Sequence, residues 1–92
     1  MIVQFLQYLR YEKNFSSHTV LSYKTDLLQF CQFLNIAPEN FVPAEVTAQI
    51  IQQWTLALLA ENISARSLAR KISTLRSFWK FLTQKSLVDK NP

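Results

Sequence analysis

Ser64-Ala65-Arg66-Ser67-Leu68-Ala69-Arg70-Lys71-Ile72-Ser73-Thr74-Leu75-Arg76-Ser77-Phe78-Trp79-Lys80-Phe81-Leu82 repeats an apolar residue every three or four positions. At about 100° per residue, Leu68, Ile72, Leu75, Trp79 and Leu82 fall on one face, and Arg66, Arg70, Ser73, Ser77 and Lys80 fall opposite. Ser64 stands just before the run, where a hydroxyl can accept a free backbone N–H of the first turn. The pattern predicts an amphipathic helix over about 65–85, and with it an all-α chain. Six of the ten basic residues belong to this segment (Arg66, Arg70, Lys71, Arg76, Lys80 and Lys85), and no acid accompanies them. An ordinary solvated helix intersperses acids, because opposite charges four apart stabilise it. A wholly basic face repels itself unless an anion neutralises it.

Outward from this helix the same periodicity recurs. Ile2, Phe5, Leu6 and Leu9 predict a first helix over about 2–13, with Tyr8 and Tyr11 on its flank and Asn14 as its stop. Ser16 is a natural N-cap for a second helix over about 17–34. Its apolar stripe is Val20, Tyr23, Leu27, Cys31 and Leu34 with Phe30 beside it, and its polar side is His18, Ser22, Thr25, Asp26 and Gln29. Pro38, Asn40 and Pro43 mark 36–46 as a connection with room for one short helical turn, anchored through Phe41 and Val42. Thr47 caps a third helix to about residue 61. Its stripe is Ile50, Trp54, Ala57 and Leu58, but Leu56, Leu59 and Ala60 lie outside it. A helix apolar nearly all round is either central in a bundle or covered by a partner.

Composition agrees. Ninety-two residues, 49% of them hydrophobic, supply one packed core rather than two. The chain has no glycine, so left-handed residues after helix ends fall to Asn14, Asn35 and Asn62. A net charge of +4 hints at an anionic partner. The single cysteine, Cys31, excludes an internal disulfide, and its apolar neighbours predict a buried, inert thiol. No apolar run reaches the ~20 residues of a membrane span, and the start lacks a signal-peptide pattern, so a cytoplasmic location is the expectation.

The chemistry these residues offer is binding rather than catalysis. The six acids are scattered, no Gly-rich phosphate loop is present, and no nucleophile–base set is suggested. His18 has no companion ligand, so neither a metal nor another cofactor is expected. Serines interleaved with arginines in the last helix suit phosphate contacts. Ser16, Ser17, His18 and Thr19 surround free N–H groups at a positive helix end, a second phosphate site in kind, although Ser16 and Thr19 also serve as caps alone. Lys24, at the edge of the apolar stripe, must snorkel outward.

Two stretches carry a family resemblance. Asn14-Phe15-Ser16-Ser17-His18-Thr19-Val20-Leu21-Ser22-Tyr23-Lys24-Thr25-Asp26-Leu27 resembles the motif that opens the second helix of Xer and phage-integrase core-binding domains. The stretch from Ile63 through Leu82 is similar to their fourth helix, and Asn91-Pro92 resembles the junction before their catalytic domain. With Phe5-Leu6-Gln7-Tyr8-Leu9 the likeness covers nearly the whole chain in order. Where family members often carry glycine before the cap serines, this chain has Asn14-Phe15 and Asn62-Ile63, and asparagine reaches the same backbone conformation.

The resemblance implies a compact four- to five-helix SAM-like bundle, a core-binding domain over 1–85 with a linker starting at 86–92. It implies one half of a clamp around a recombination half-site in double-stranded DNA, with further recombinase protomers as partners. The DNA-contacting residues it implies are His18, Thr19, Ser22 and Lys24 from the first motif, and Arg66, Arg70, Ser73, Arg76, Ser77 and Lys80 from the second. The family's catalytic residues belong to a C-terminal domain, so none is carried over. A free-standing helical transcription regulator and a helical protein-interaction module are the competing readings.

Overall fold

A computed structural model describes all 92 residues, and every regular element in it is helical. Backbone contacts divide the chain into two units, Met1–Phe41 and Val42–Pro92.

In the first unit, α1 (Ile2–Gln7) runs directly into a π-helical turn (Tyr8–Glu12), and α2 (Ser17–Phe33) follows. Ile2, Phe5 and Leu9 are buried and Leu6 half-buried, the stripe read from the sequence. The wider π winding shows in the bonds that close it: Lys13 N–H donates to the Tyr8 carbonyl at 3.1 Å and Phe15 N–H to the Leu9 carbonyl at 3.0 Å. Asn14 supplies the left-handed residue at φ 55°. The Arg10 guanidinium donates to the Phe15 carbonyl (3.1 Å) and braces the turn.

Packing of α1 on α2 is aromatic. The Tyr23 ring lies 6.0 Å from Phe5, edge to face, and 5.9 Å from Phe15, stacked. Leu27, Phe30 and Cys31 are buried below it. α2 closes with two bonds past its end, Asn35 N–H to the Gln32 carbonyl and Ile36 N–H to the Cys31 carbonyl, with Asn35 at φ 56°. A short 3₁₀ turn (Pro38–Asn40) leads to Phe41, whose ring stands 6.1 Å from Phe30.

In the second unit, a 3₁₀ turn (Pro43–Glu45) precedes α3 (Ala48–Ala60) and α4 (Ala65–Gln84), which pack on each other. The connection therefore contains two short turns rather than one. Its anchor also differs from expectation: Val42 is exposed, and Pro43 and Val46 are buried instead. Val42 precedes a proline and is held extended at ψ 93°, which leaves the ring of Pro43 to take the interior place. Thr47 and Ser64 cap α3 and α4 by accepting the backbone N–H of Ile50 and Ser67. Asn62 is left-handed at φ 60° after α3, and Ser86 fills the same role after α4 at φ 57°. The last residues fold back: Val88 is buried, and 88–92 line a hollow shared with Ala44, Val46 and Thr47.

Candidate nucleic-acid interface

The buried side of α4 is wider than its leucine stripe. Leu75, Trp79 and Leu82 are buried as read, while Leu68 and Ile72 are half-buried. Phe78 and Phe81 join the core, and so do Thr74 and Lys71. Thr74 is accommodated because its hydroxyl donates to the Arg70 carbonyl at 3.1 Å. Lys71, one of the six basic residues of the segment but not one of those read on the face opposite the stripe, is only 6% exposed and stands four residues before Leu75 and seven before Phe78. Its four-methylene stem lies with the apolar stripe, and no buried side-chain nitrogen or oxygen in the chain lacks a hydrogen-bond partner.

With Lys71 inward, the outer face of α4 is sharply defined. Arg66, Arg70, Ser73, Arg76 and Lys80 are exposed and Ser77 is half-buried. At about 100° per residue these six lie within an arc of about 120°. The face holds four cations and no acid. The structure thus brings together all six candidate residues of the second motif. Arg76 sits at one edge, where it also borders a small apolar hollow of about 190 Å³ between α3 and α4.

The first motif is less coherent. His18 and Ser22 share an exposed side of α2 with Thr25 and Gln29, and the Ser22 hydroxyl donates to the His18 carbonyl at 3.2 Å. That bond leaves the Ser22 oxygen free only to accept. Ser16 caps the helix by accepting the Thr19 N–H at 3.2 Å, and its hydroxyl lies 3.0 Å from that of Thr19. Both hydroxyls are therefore partly engaged in holding the helix start. Lys24 is exposed, but on the opposite flank of α2 from Ser22. There it borders an open groove of about 630 Å³ beside α1, with Arg10 and Tyr11 across from it.

Asp26 departs from the reading. The sequence places it on the polar side of α2 with Ser22 and Gln29, but it is fully buried, at 0% exposure. It lies at the border between that side and the stripe, one turn before Phe30. The structure tolerates its carboxylate there because each of its oxygens that is buried finds a partner. Cys31, at 1% exposure, is the buried thiol expected, and burial pushes its pKa up. No cluster of His, Cys, Asp and Glu of the size a metal needs is present, and no helix is long and apolar enough to cross a membrane.

The chain is all-α and carries an acid-free basic face on its last helix, and sequence comparison places it in a family. The chain belongs to the phage integrase N-terminal SAM-like domain family, whose profile matches residues 2–86. Among its relatives is tyrosine recombinase XerC of Oceanobacillus iheyensis, 41% identical over 88 residues, which make up 96% of this chain and 28% of that protein. Tyrosine recombinase XerD of Rickettsia prowazekii is 38% identical over 91 residues, 99% of this chain and 29% of the relative. Tyrosine recombinase XerC of Listeria monocytogenes serotype 4a is 40% identical over 90 residues, 97% and 29% of the two chains. The chain thus spans less than a third of the curated relatives it matches. No solved structure matches it.

Proposed function

We propose that this chain is the DNA-binding domain of a site-specific tyrosine recombinase, gripping a recombination half-site in the major groove of double-stranded DNA. The observation that carries the reading is the outer face of α4, where Arg66, Arg70, Arg76 and Lys80 stand exposed with Ser73 between them and no acid within the helix. Such a face matches a phosphate-lined groove in charge, and its short serines let the helix axis approach the duplex. On α2, His18 and the Thr19 hydroxyl beside the capped helix start add phosphate contacts, while Ser22, whose hydroxyl hydrogen is committed to the His18 carbonyl, serves as an acceptor for a donor on the DNA. Lys24, on the other flank, serves as a peripheral phosphate contact rather than as part of that surface. Phosphodiester exchange through a tyrosyl–DNA intermediate belongs to the remainder of a longer, cytoplasmic protein working with other recombinase protomers in chromosome dimer resolution or DNA integration. This domain supplies grip and part of the readout.

The test is a titration of the chain into a duplex at several salt concentrations. Affinity should fall linearly on a log–log plot, and Arg66→Ala or Lys80→Ala should each reduce the slope by about 0.9 if the side chain neutralises one phosphate. Both residues are exposed, so the fold should be unaffected. Absence of binding at low salt, or an affinity indifferent to salt, would sink the proposal. An unchanged slope in both variants would mean that another surface holds the DNA.

A further inference from the structure

Exposed apolar side chains of the first unit gather along one groove. Met1 is 47% exposed, Val3 65% and Tyr11 76%, and all three line the open groove of about 630 Å³ beside α1, over the half-buried Leu6, Leu28 and Phe41. That volume lies in the range of ligand sites. The groove also carries charge in a fixed order. α1 and α2 pack on each other across a short connection, so they run antiparallel, and Tyr23, next to Lys24, lies against Phe5. Arg10 therefore stands toward one end, Lys24 beside the middle of α1, and Glu39, beyond the end of α2, at the other end. The Lys24 ammonium makes no hydrogen bond or ion pair. The Arg10 guanidinium spends one nitrogen on the Phe15 carbonyl at 3.1 Å, which fixes it in place and leaves its other donors free.

We propose that this groove receives an amphipathic helix of a different protein, with apolar side chains seated on Leu6, Leu28 and Phe41 and an acidic side chain held by Arg10 and Lys24. Backbone chemistry asks for a helix. The long walls are helices whose own N–H and C=O groups are bonded internally, so an extended strand would find no ladder there, whereas a helix satisfies itself. From Met1 to Tyr11 the groove runs about 15 Å, close to three helical turns. Charge asks for an acid. Two free cations, one of them already held in place, match a carboxylate at little ordering cost, while the apolar floor and Glu39 do not suit a phosphate backbone. The same charges exclude a second copy of the chain: α1, α3 and α4 contain no acid, and Asp26, the one acid of α2, is buried. The inference does not depend on the DNA-binding reading, and Lys24 is the one residue that the two share.

Selection of a random library of peptides about twelve residues long on the intact chain tests this. The peptides recovered should carry apolar residues three or four apart and an acid. In fluorescence anisotropy at physiological salt, Lys24→Glu and Val3→Asp should each raise the Kd of a recovered peptide about tenfold or more. Lys85→Glu, at an exposed lysine outside the groove, should change it less than about twofold, because distant charges are screened. Lys24 and Val3 are exposed, so Tm should hold; if Val3→Asp lowers it, Val3→Ser tests the same wall. Recovery of no such peptide, equal losses in Lys24→Glu and Lys85→Glu, or binding indifferent to Val3 overturns the proposal. So does a duplex weakened by Val3→Asp as strongly as the peptide, which would give the groove to DNA. If no duplex binds at all, the DNA reading alone has failed, and the peptide measurements decide the groove unaided.

Discussion

Ser86 sits one residue beyond the cap of α4 in a left-handed conformation, φ 57°, the position that asparagine fills after the other helices. Two bonds hold it there: Ser86 N–H donates to the Thr83 carbonyl at 3.1 Å and Leu87 N–H to the Leu82 carbonyl at 2.9 Å. A residue with a Cβ pays about 1–2 kcal/mol for this conformation, and glycine does not. Glycine also loosens the unfolded chain, which takes back about 0.4–1 kcal/mol. Ser86→Gly should therefore stabilise the protein by about 0.5–1 kcal/mol. For a domain of this size that raises Tm by about 2–8 °C, readable by circular dichroism or calorimetry. Asn35→Ala is the counterpart. Asn35 has the same geometry at φ 56°, and alanine lacks the local hydrogen bonding that eases asparagine into it, so a loss of about 1 kcal/mol is expected. Asn35→Gly should be close to neutral. A drop in Tm for Ser86→Gly, or an Asn35→Ala variant as stable as the parent, would refute the assignment of these residues as left-handed helix stops.

Ser64→Ala removes the oxygen that accepts the Ser67 N–H at 3.1 Å and should cost about 1 kcal/mol in thermal unfolding, whereas Ser64→Asp should retain most of it. Lys71→Ala should destabilise the fold by about 1–3 kcal/mol through lost packing and an orphaned partner; Lys80→Ala should leave Tm within experimental scatter, and only Lys80→Ala should alter the salt slope of DNA binding. Cys31 should resist thiol reagents at neutral pH until the protein unfolds. Its pKa is higher folded than unfolded because burial disfavours the thiolate, so its contribution to stability is complete below the unfolded pKa and is lost as pH rises through the folded one. A Cys31→Ala variant should accordingly show a weaker alkaline loss of stability than the parent.

The helix stops and starts were the most legible part of the fold, because each is a local matter of one side chain and its own backbone. Ser16, Thr47 and Ser64 bond the N–H groups their positions suggest, and Asn14, Asn35 and Asn62 take the left-handed conformation that a glycine-free chain needs. Ser86 escaped notice because serine has no preference for that region, and its conformation is imposed by the two bonds around it. The π turn over Tyr8–Glu12 was equally invisible, since its side-chain periodicity departs too little from 3.6 over five residues. Asp26 is misplaced for a different reason. It lies at the edge of the buried arc, and its charge argues for the surface. Burying a charge is costly unless it is satisfied, and whether a partner exists is decided by tertiary structure, not by the helix that carries the residue. Helical phase alone puts Lys71 inside, on the same stripe as Leu75, Phe78 and Leu82.

The inward place of Lys71 sets the character of the proposed interface as well as its charge: arginine outnumbers lysine three to one among the exposed Arg66, Arg70, Arg76 and Lys80. Lysine is a mobile point charge that suits any phosphate, whereas the planar guanidinium presents paired donors that fit a carbonyl and ring nitrogen on the edge of guanine. On the reading proposed here, the exposed remainder of α4 is weighted toward readout more than a count of basic residues suggests. The distinction has a consequence in measurement. Replacing an arginine that reads a base should relax discrimination at one position of the half-site by about 1–3 kcal/mol, whereas replacing Lys80 should weaken binding to all sequences alike. Lysine substitutions at Arg66, Arg70 and Arg76 then separate the two roles within the arginines themselves: charge and salt slope are kept, and only a base-reading position loses its preference.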